Sequence, residues 1–133
     1  MNQIQKLSET ELELMEAIWS STPPVTSTEL LRMFSDKGRD WKPQTISTFL
    51  SRLVEKGVLK VTRHGRTNYY VPLINADDYK LFETEHVLNE LYQGSVKNLV
   101  SAMYDGEKIS DKDLAELRKW FSEVGESNDK QGS

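Results

Sequence analysis

Pro43-Gln44-Thr45-Ile46-Ser47-Thr48-Phe49-Leu50-Ser51-Arg52-Leu53-Val54-Glu55-Lys56-Gly57 is the stretch that decides the fold. Proline suits the first helical position, where its missing amide hydrogen has no intrahelical partner, and glycine suits the position just past the last turn. Between them Ile46, Phe49, Leu50, Leu53 and Val54 recur with the period of a helix that buries one stripe. The opposite face carries Gln44, Ser47, Thr48, Ser51 and Arg52, with Thr45 near its edge. These side chains are short, uncharged or basic, and suited to hydrogen bonding. After Gly57 the pattern switches to the alternation of strands: Val58-Leu59-Lys60-Val61-Thr62-Arg63, then His64-Gly65-Arg66, then Thr67-Asn68-Tyr69-Tyr70-Val71 before Pro72. This reads as a β-hairpin with a basic tip.

Upstream and downstream the chain repeats one helix-start signal, the capping box with its apolar staple. Leu7-Ser8 with Glu11-Leu12 opens a helix to about residue 20, and Val25-Thr26 with Glu29-Leu30 opens one to about residue 37. Ile74-Asn75 with Asp78-Tyr79 and Ile109-Ser110 with Asp113-Leu114 open two more, using the shorter and weaker Asp. Helix, helix, helix and hairpin in this order predict a winged helix-turn-helix over residues 1–72, with Val25 placed to add a short third strand. Residues 73–124 read as three helices, about 76–92, 96–104 and 111–124. They form a mainly helical region too small to build a satisfactory core alone, so it is expected to pack on a second copy. Residues 125–133 are small and polar and are expected to form a disordered tail. The fold class is therefore mainly α with a small β-hairpin wing, followed by a helical dimerisation region.

The net charge of -4 over 133 residues hides an asymmetry. Residues 1–72 hold 10 Lys and Arg against 8 Asp and Glu, whereas residues 73–133 hold 7 against 13. Residues 32–66 alone carry 9 basic side chains and 3 acidic ones. A basic patch in an otherwise acidic chain implies that the two halves meet different partners. With a mean hydropathy of -0.60 and no apolar run near the roughly 20 residues of a spanning helix, the chain is expected to be cytoplasmic, without membrane insertion. It has no cysteine, and its two histidines, His64 and His86, have no second ligand at metal spacing, so no metal or other cofactor is expected. No phosphate loop, nucleophile elbow or carboxylate pair in an apolar pocket recommends an enzyme.

A polar helix face of this kind can enter the major groove of double-stranded DNA while nearby cations neutralise phosphates. Gln44 is then a candidate for adenine and Arg52 for guanine or a phosphate; Thr45, Ser47, Thr48 and Ser51 can bond to bases or backbone. Lys42 at the helix entrance and Lys60, Arg63 and Arg66 on the hairpin are the candidate phosphate or minor-groove contacts. Trp19 and Trp41 are expected in the core rather than stacked on bases, and one of Tyr69 and Tyr70 is expected inside. A competing reading, supported by the overall acidity, is a winged-helix module that binds protein rather than DNA.

The chain resembles the penicillinase-repressor (BlaI/MecI/CopY) family of bacterial transcriptional regulators over about residues 5–124. The likeness lies in Leu12 to Trp19, in Thr45-Ile46-Ser47-Thr48-Phe49-Leu50-Ser51-Arg52-Leu53 with Lys56-Gly57-Val58-Leu59, and in the wing ending Tyr69-Tyr70. It continues in Leu88-Asn89-Glu90-Leu91-Tyr92-Gln93-Gly94, Lys97-Asn98-Leu99-Val100 and Glu116-Leu117-Arg118. The resemblance implies a homodimeric repressor on an inverted repeat like TACA-TGTA, controlling antibiotic-resistance or envelope-stress genes. Leu81, Leu88, Leu91, Leu99, Met103, Leu114, Leu117 and Phe121 are the positions expected to form the dimer. The copper-responsive branch uses a cysteine cluster that this chain lacks. In the β-lactam branch a membrane sensor-protease system leads to a cut in the dimerisation region, and the matching bond here is Ala102-Met103.

Overall fold

The computed structural model describes residues 5–131, with side chains through residue 126. In chain order the elements are α1 (Glu9–Ser20), α2 (Ser27–Asp36), α3 (Pro43–Glu55), β1 (Leu59–His64), β2 (Thr67–Pro72), α4 (Ala76–Tyr92), α5 (Val96–Asp105) and α6 (Asp111–Gln131). The caps set these starts. Ser8 with Glu11 and Thr26 with Glu29 close complete capping boxes at α1 and α2. The Asp-based box at Ser110 and Asp113 closes in both directions, at 3.1 and 3.0 Å, and Asn75 accepts from the Asp78 amide at 2.7 Å. Ser95 caps α5 by accepting from the Asn98 amide at 3.1 Å.

The chain divides into two compact units, one through Thr84 and the other from Glu85. In the first, α1, α2 and α3 enclose a core of Leu14, Met15, Ile18, Leu30, Phe34, Ile46, Leu50 and Leu53, closed by Val58, Leu59 and Tyr70 of the hairpin segment. The strands pair antiparallel, Leu59 with Pro72 through His64 with Thr67, around a turn at Gly65-Arg66. Gly65 sits at φ +64°, as the first central residue of a two-residue hairpin loop requires. Val25 contributes a single antiparallel bridge to Tyr70, with bonds of 3.0 and 2.8 Å, instead of a full third strand.

The first unit runs past Pro72, where the sequence placed its end. The Tyr79 ring is fully buried; its hydroxyl accepts from the Leu7 amide at 2.8 Å and donates to the Glu83 carboxylate at 2.6 Å. Burial first, and then the Glu83 acceptor, push this phenol up to about 12, so it remains a donor at neutral pH. The Trp19 indole donates to the Ile74 carbonyl at 2.8 Å, and Phe82 packs against the same core. The opening turns of α4 therefore belong to the winged helix.

In the second unit no side chain from Glu85 to Glu126 is buried. One expectation is corrected here: residues 125–131 continue α6 to Gln131 instead of forming a disordered tail. The stretch contains no proline, and its single internal glycine weakens a helix by only about 1 kcal/mol. Gly132 and Ser133 lie outside the described residues. The turn after α4 places a non-glycine residue, Gln93, at φ +49°, where a Cβ is disfavoured. Gln93→Gly should raise stability by roughly 0.5–1 kcal/mol, read as a higher denaturant midpoint.

One ion pair ties α1 to the end of α3. Glu11 is almost fully buried, and its carboxylate takes the Lys56 ammonium at 2.6 Å while closing the capping box with the Ser8 amide at 2.8 Å. Burial pushes this carboxyl up, but the bonds from Lys56 and Ser8 outweigh it and hold it below its ordinary value. Since the folded-state value is depressed, the pair's stabilisation is complete above the usual carboxylate range and is lost as pH falls through and below it. Glu11→Gln should lower stability at pH 7 by about 2 kcal/mol, less than a fully enclosed pair because Lys56 keeps some solvent. It should also flatten the acid limb of the stability profile, as measured by chemical denaturation across pH.

Candidate nucleic-acid interface

The burial of Ile46, Leu50 and Leu53 at 0% exposure fixes which side of α3 looks outward. Gln44, Thr45, Ser47, Thr48, Ser51 and Arg52 all lie on the exposed side, as does Lys42 at the N-cap. Lys42 makes no side-chain capping bond, so α3, unlike α1 and α2, presents its first turn uncovered. The Thr48 hydroxyl donates back to the Gln44 carbonyl at 2.9 Å, which leaves its oxygen as an outward acceptor. Gln44, Thr48 and Ser51 fall on one row of the helix, and the same spacing carries the row on to exposed Glu55. Glu55, which the helical period adds to this row, is not among the residues expected from the sequence.

The hairpin separates its cations. Cross-strand partners share a face, so Val61 and Tyr70 lie with Arg63 and Asn68, on the side that carries buried Leu59. Lys60 lies on the other side with Val71, Thr62, Tyr69 and His64. Arg66 occupies the turn, and the Arg63 guanidinium donates to the Gly65 carbonyl at 3.1 Å, which braces the tip. Tyr70 is the buried member of the tyrosine pair; Tyr69 is half-buried, with His64 edge-on at 5.6 Å. The four candidate cations outside the helix face thus do not form one cluster: Lys60 is turned away from the face that holds Arg63.

Linking α2, the following turn and α3 is an aromatic strip that the sequence did not reveal. Phe34 stacks on Trp41 at 4.6 Å, and Trp41 meets Phe49 at 5.9 Å. Each ring carries a cation: Lys37 over Phe34 at 5.5 Å, Arg39 over Trp41 at 5.4 Å and Arg52 over Phe49 at 5.6 Å. Trp41 is half-buried in the core edge, as expected, while one face serves as a seat for Arg39. Lys56, by contrast, turns inward to Glu11 and also donates to the Lys6 carbonyl at 3.2 Å.

Of the positions expected to meet a second copy, Leu81, Leu91, Met103 and Phe121 are exposed, and Leu88, Leu99, Leu114 and Leu117 are half-buried. Ala102 and Met103 are exposed within α5. Among the described residues no group of three or more metal-ligating side chains comes together, and no helix is long and apolar enough to cross a membrane.

Three helices, a wing and an outward polar helix face define a winged helix-turn-helix regulator. The chain belongs to the penicillinase repressor family, whose model matches residues 7–123. It is 32% identical to the penicillinase repressor of Bacillus licheniformis over 92% of this chain and 94% of that protein. It is 27% identical to the methicillin resistance regulatory protein MecI of Staphylococcus aureus over 88% of this chain and 94% of that one. Among solved structures, the DNA binding domain of the repressor BlaI matches with a TM-score of 0.51 and 38% identity, covering 59% of this chain and 94% of that domain.

The ring contacts make Trp41 the keystone of the strip. Trp41→Leu should lower stability by about 2 kcal/mol through lost area and ring contacts, measured as a shift in urea midpoint with an unchanged slope.

Proposed function

We propose that this protein is a homodimeric, sequence-specific DNA-binding repressor that acts on an inverted-repeat operator of the TACA-TGTA type. The observation that carries this reading is the outward face of α3. Six side chains able to bond to bases or phosphates are held there by a fully buried opposite stripe, with cations on the wing and along the aromatic strip. The names of the relatives support it: penicillinase repressor, methicillin resistance regulatory protein, and the DNA binding domain of a repressor. Dimerisation is supported by the second unit, which buries no side chain of its own from Glu85 to Glu126 and leaves Leu91, Met103, Trp120 and Phe121 open. By the same family logic the repressor controls β-lactam or envelope-stress genes. It is relieved by a sensor-protease system that cuts Ala102-Met103, a bond whose helix has to unwind before a protease can take it as an extended strand.

Fluorescence anisotropy on the inverted repeat and on a scrambled duplex, each at two salt concentrations, tests the proposal. Tight binding to the repeat alone, weakened by salt, is expected because phosphate binding releases counterions. Binding to neither duplex would favour the protein-interaction module. Arg52→Ala and Arg63→Ala should each weaken repeat binding by about ten-fold with the dimer intact, and Lys60→Ala by less, since it lies on the opposite hairpin face. Leu117→Asp should convert the dimer to monomer in sedimentation and reduce operator affinity without altering any DNA contact.

A further inference from the structure

We propose that Arg39, on the turn before α3, forms a clamp for a nucleic-acid backbone phosphate, and that Glu13 occupies this clamp in the free protein. The inference rests on the DNA-binding reading above and adds a site to it.

The turn is built to hold Arg39 in place. Its amide donates to the Phe34 carbonyl at 2.8 Å, Gly38 beside it takes φ +87°, and the Ser35 hydroxyl donates to Asp40 at 3.3 Å. From this backbone the guanidinium lies against the Trp41 ring and sends both terminal nitrogens to Glu13, at 2.7 and 3.2 Å. Such a two-pronged bond is the geometry in which arginine takes a carboxylate or a phosphate equally well. Glu13 therefore stands where two phosphate oxygens fit.

The pair is also easily exchanged. Both side chains are about two-fifths exposed, at 44% and 40%, so solvent screens their attraction and little is lost when a phosphate replaces the carboxylate. Glu13, Lys37 and Arg39 border an open cleft of about 520 Å³, which leaves room for the displaced carboxylate. An arginine already seated on a ring gives up less side-chain freedom when it binds an anion. The clamp also continues the recognition surface. Trp41, which seats Arg39, touches Phe49, which seats Arg52, so a backbone held at one guanidinium is presented to the next.

A double-mutant cycle on the full chain decides the matter, with anisotropy on the inverted-repeat and scrambled duplexes over a salt series and thermal unfolding of every variant. Arg39→Gln should weaken both duplexes alike, by about three- to ten-fold, and make the salt dependence shallower by about one phosphate's increment. Glu13→Gln should tighten both by about three-fold. In the Arg39→Gln background that gain should shrink to the general charge effect read from Glu16→Gln, an α1 carboxylate bordering the same cleft. Arg39→Lys, which keeps the charge and loses the fork, should fall between wild type and Arg39→Gln. A Glu13→Gln gain no larger than that of Glu16→Gln, or one that survives loss of Arg39, overturns the clamp. So does a folded Arg39→Gln protein with lowered melting temperature but unchanged affinity and salt slope, which would reduce the pair to a staple between α1 and the turn. Wild-type protein that binds neither duplex refutes the DNA-binding reading itself, before any variant is made.

Discussion

Ile46, Leu50 and Leu53 on α3 have no solvent contact, and each contributes about 1.5–3 kcal/mol by its burial against α1, α2 and the start of the hairpin. A helix rotated about its axis would expose these three, so their burial also locks the rotation of the polar face. Gln44, Thr48 and Ser51 need no partner inside the protein to hold them outward. The Glu11–Lys56 pair adds a second constraint at the other end of α3, tying its C-cap to the capping box of α1. Core packing and one partly buried ion pair thus hold the outward face of α3 in a fixed orientation.

The basic excess of residues 32–66 is divided between tasks. Lys56 neutralises a buried carboxylate, Arg39 is engaged by Glu13, and Arg63 braces the wing tip. Lys42 and Arg52 are presented beside the polar face, while Lys60 looks out from the reverse of the wing. A count of charges measures the long-range field, but the contacts available to a ligand depend on which cations already have partners. The aromatic strip matters for the same reason: rings at the core edge give long, flexible cations a fixed address at small entropic expense.

The two units differ in how they are held. The first has a closed core that reaches into α4 through Tyr79, whose hydroxyl joins the chain entrance at Leu7 to Glu83. Among its described side chains, the second has half-buried apolar residues and exposed ones but none that is buried. Helices of this length gain their stability chiefly from packing an apolar face. The exposed Trp120 and Phe121, with ring centres 4.9 Å apart, mark an apolar surface on this unit.

The local signals were legible in the sequence. Capping boxes at Ser8 and Thr26, Pro43 at a first helical position, Gly57 after α3 and Gly65 in the hairpin turn each act within a few residues, so the starts of the elements and the outward face of α3 could be read directly. The opposite faces of Lys60 and Arg63 were implicit in the two-residue period of the strand, yet became informative only once the hairpin register was set. The Tyr79 hydrogen bonds, the Arg39–Glu13 pair and the inward turn of Lys56 join residues far apart in sequence. The helix through Gln131 went unread because composition describes a segment's polarity and not whether its hydrogen-bond ladder continues. What the sequence by itself determined was the order of elements and which face of each is apolar, because those depend on neighbours along the chain. Only the tertiary structure decided which charges are consumed internally and which remain for a partner, because pairing depends on distances that folding alone creates.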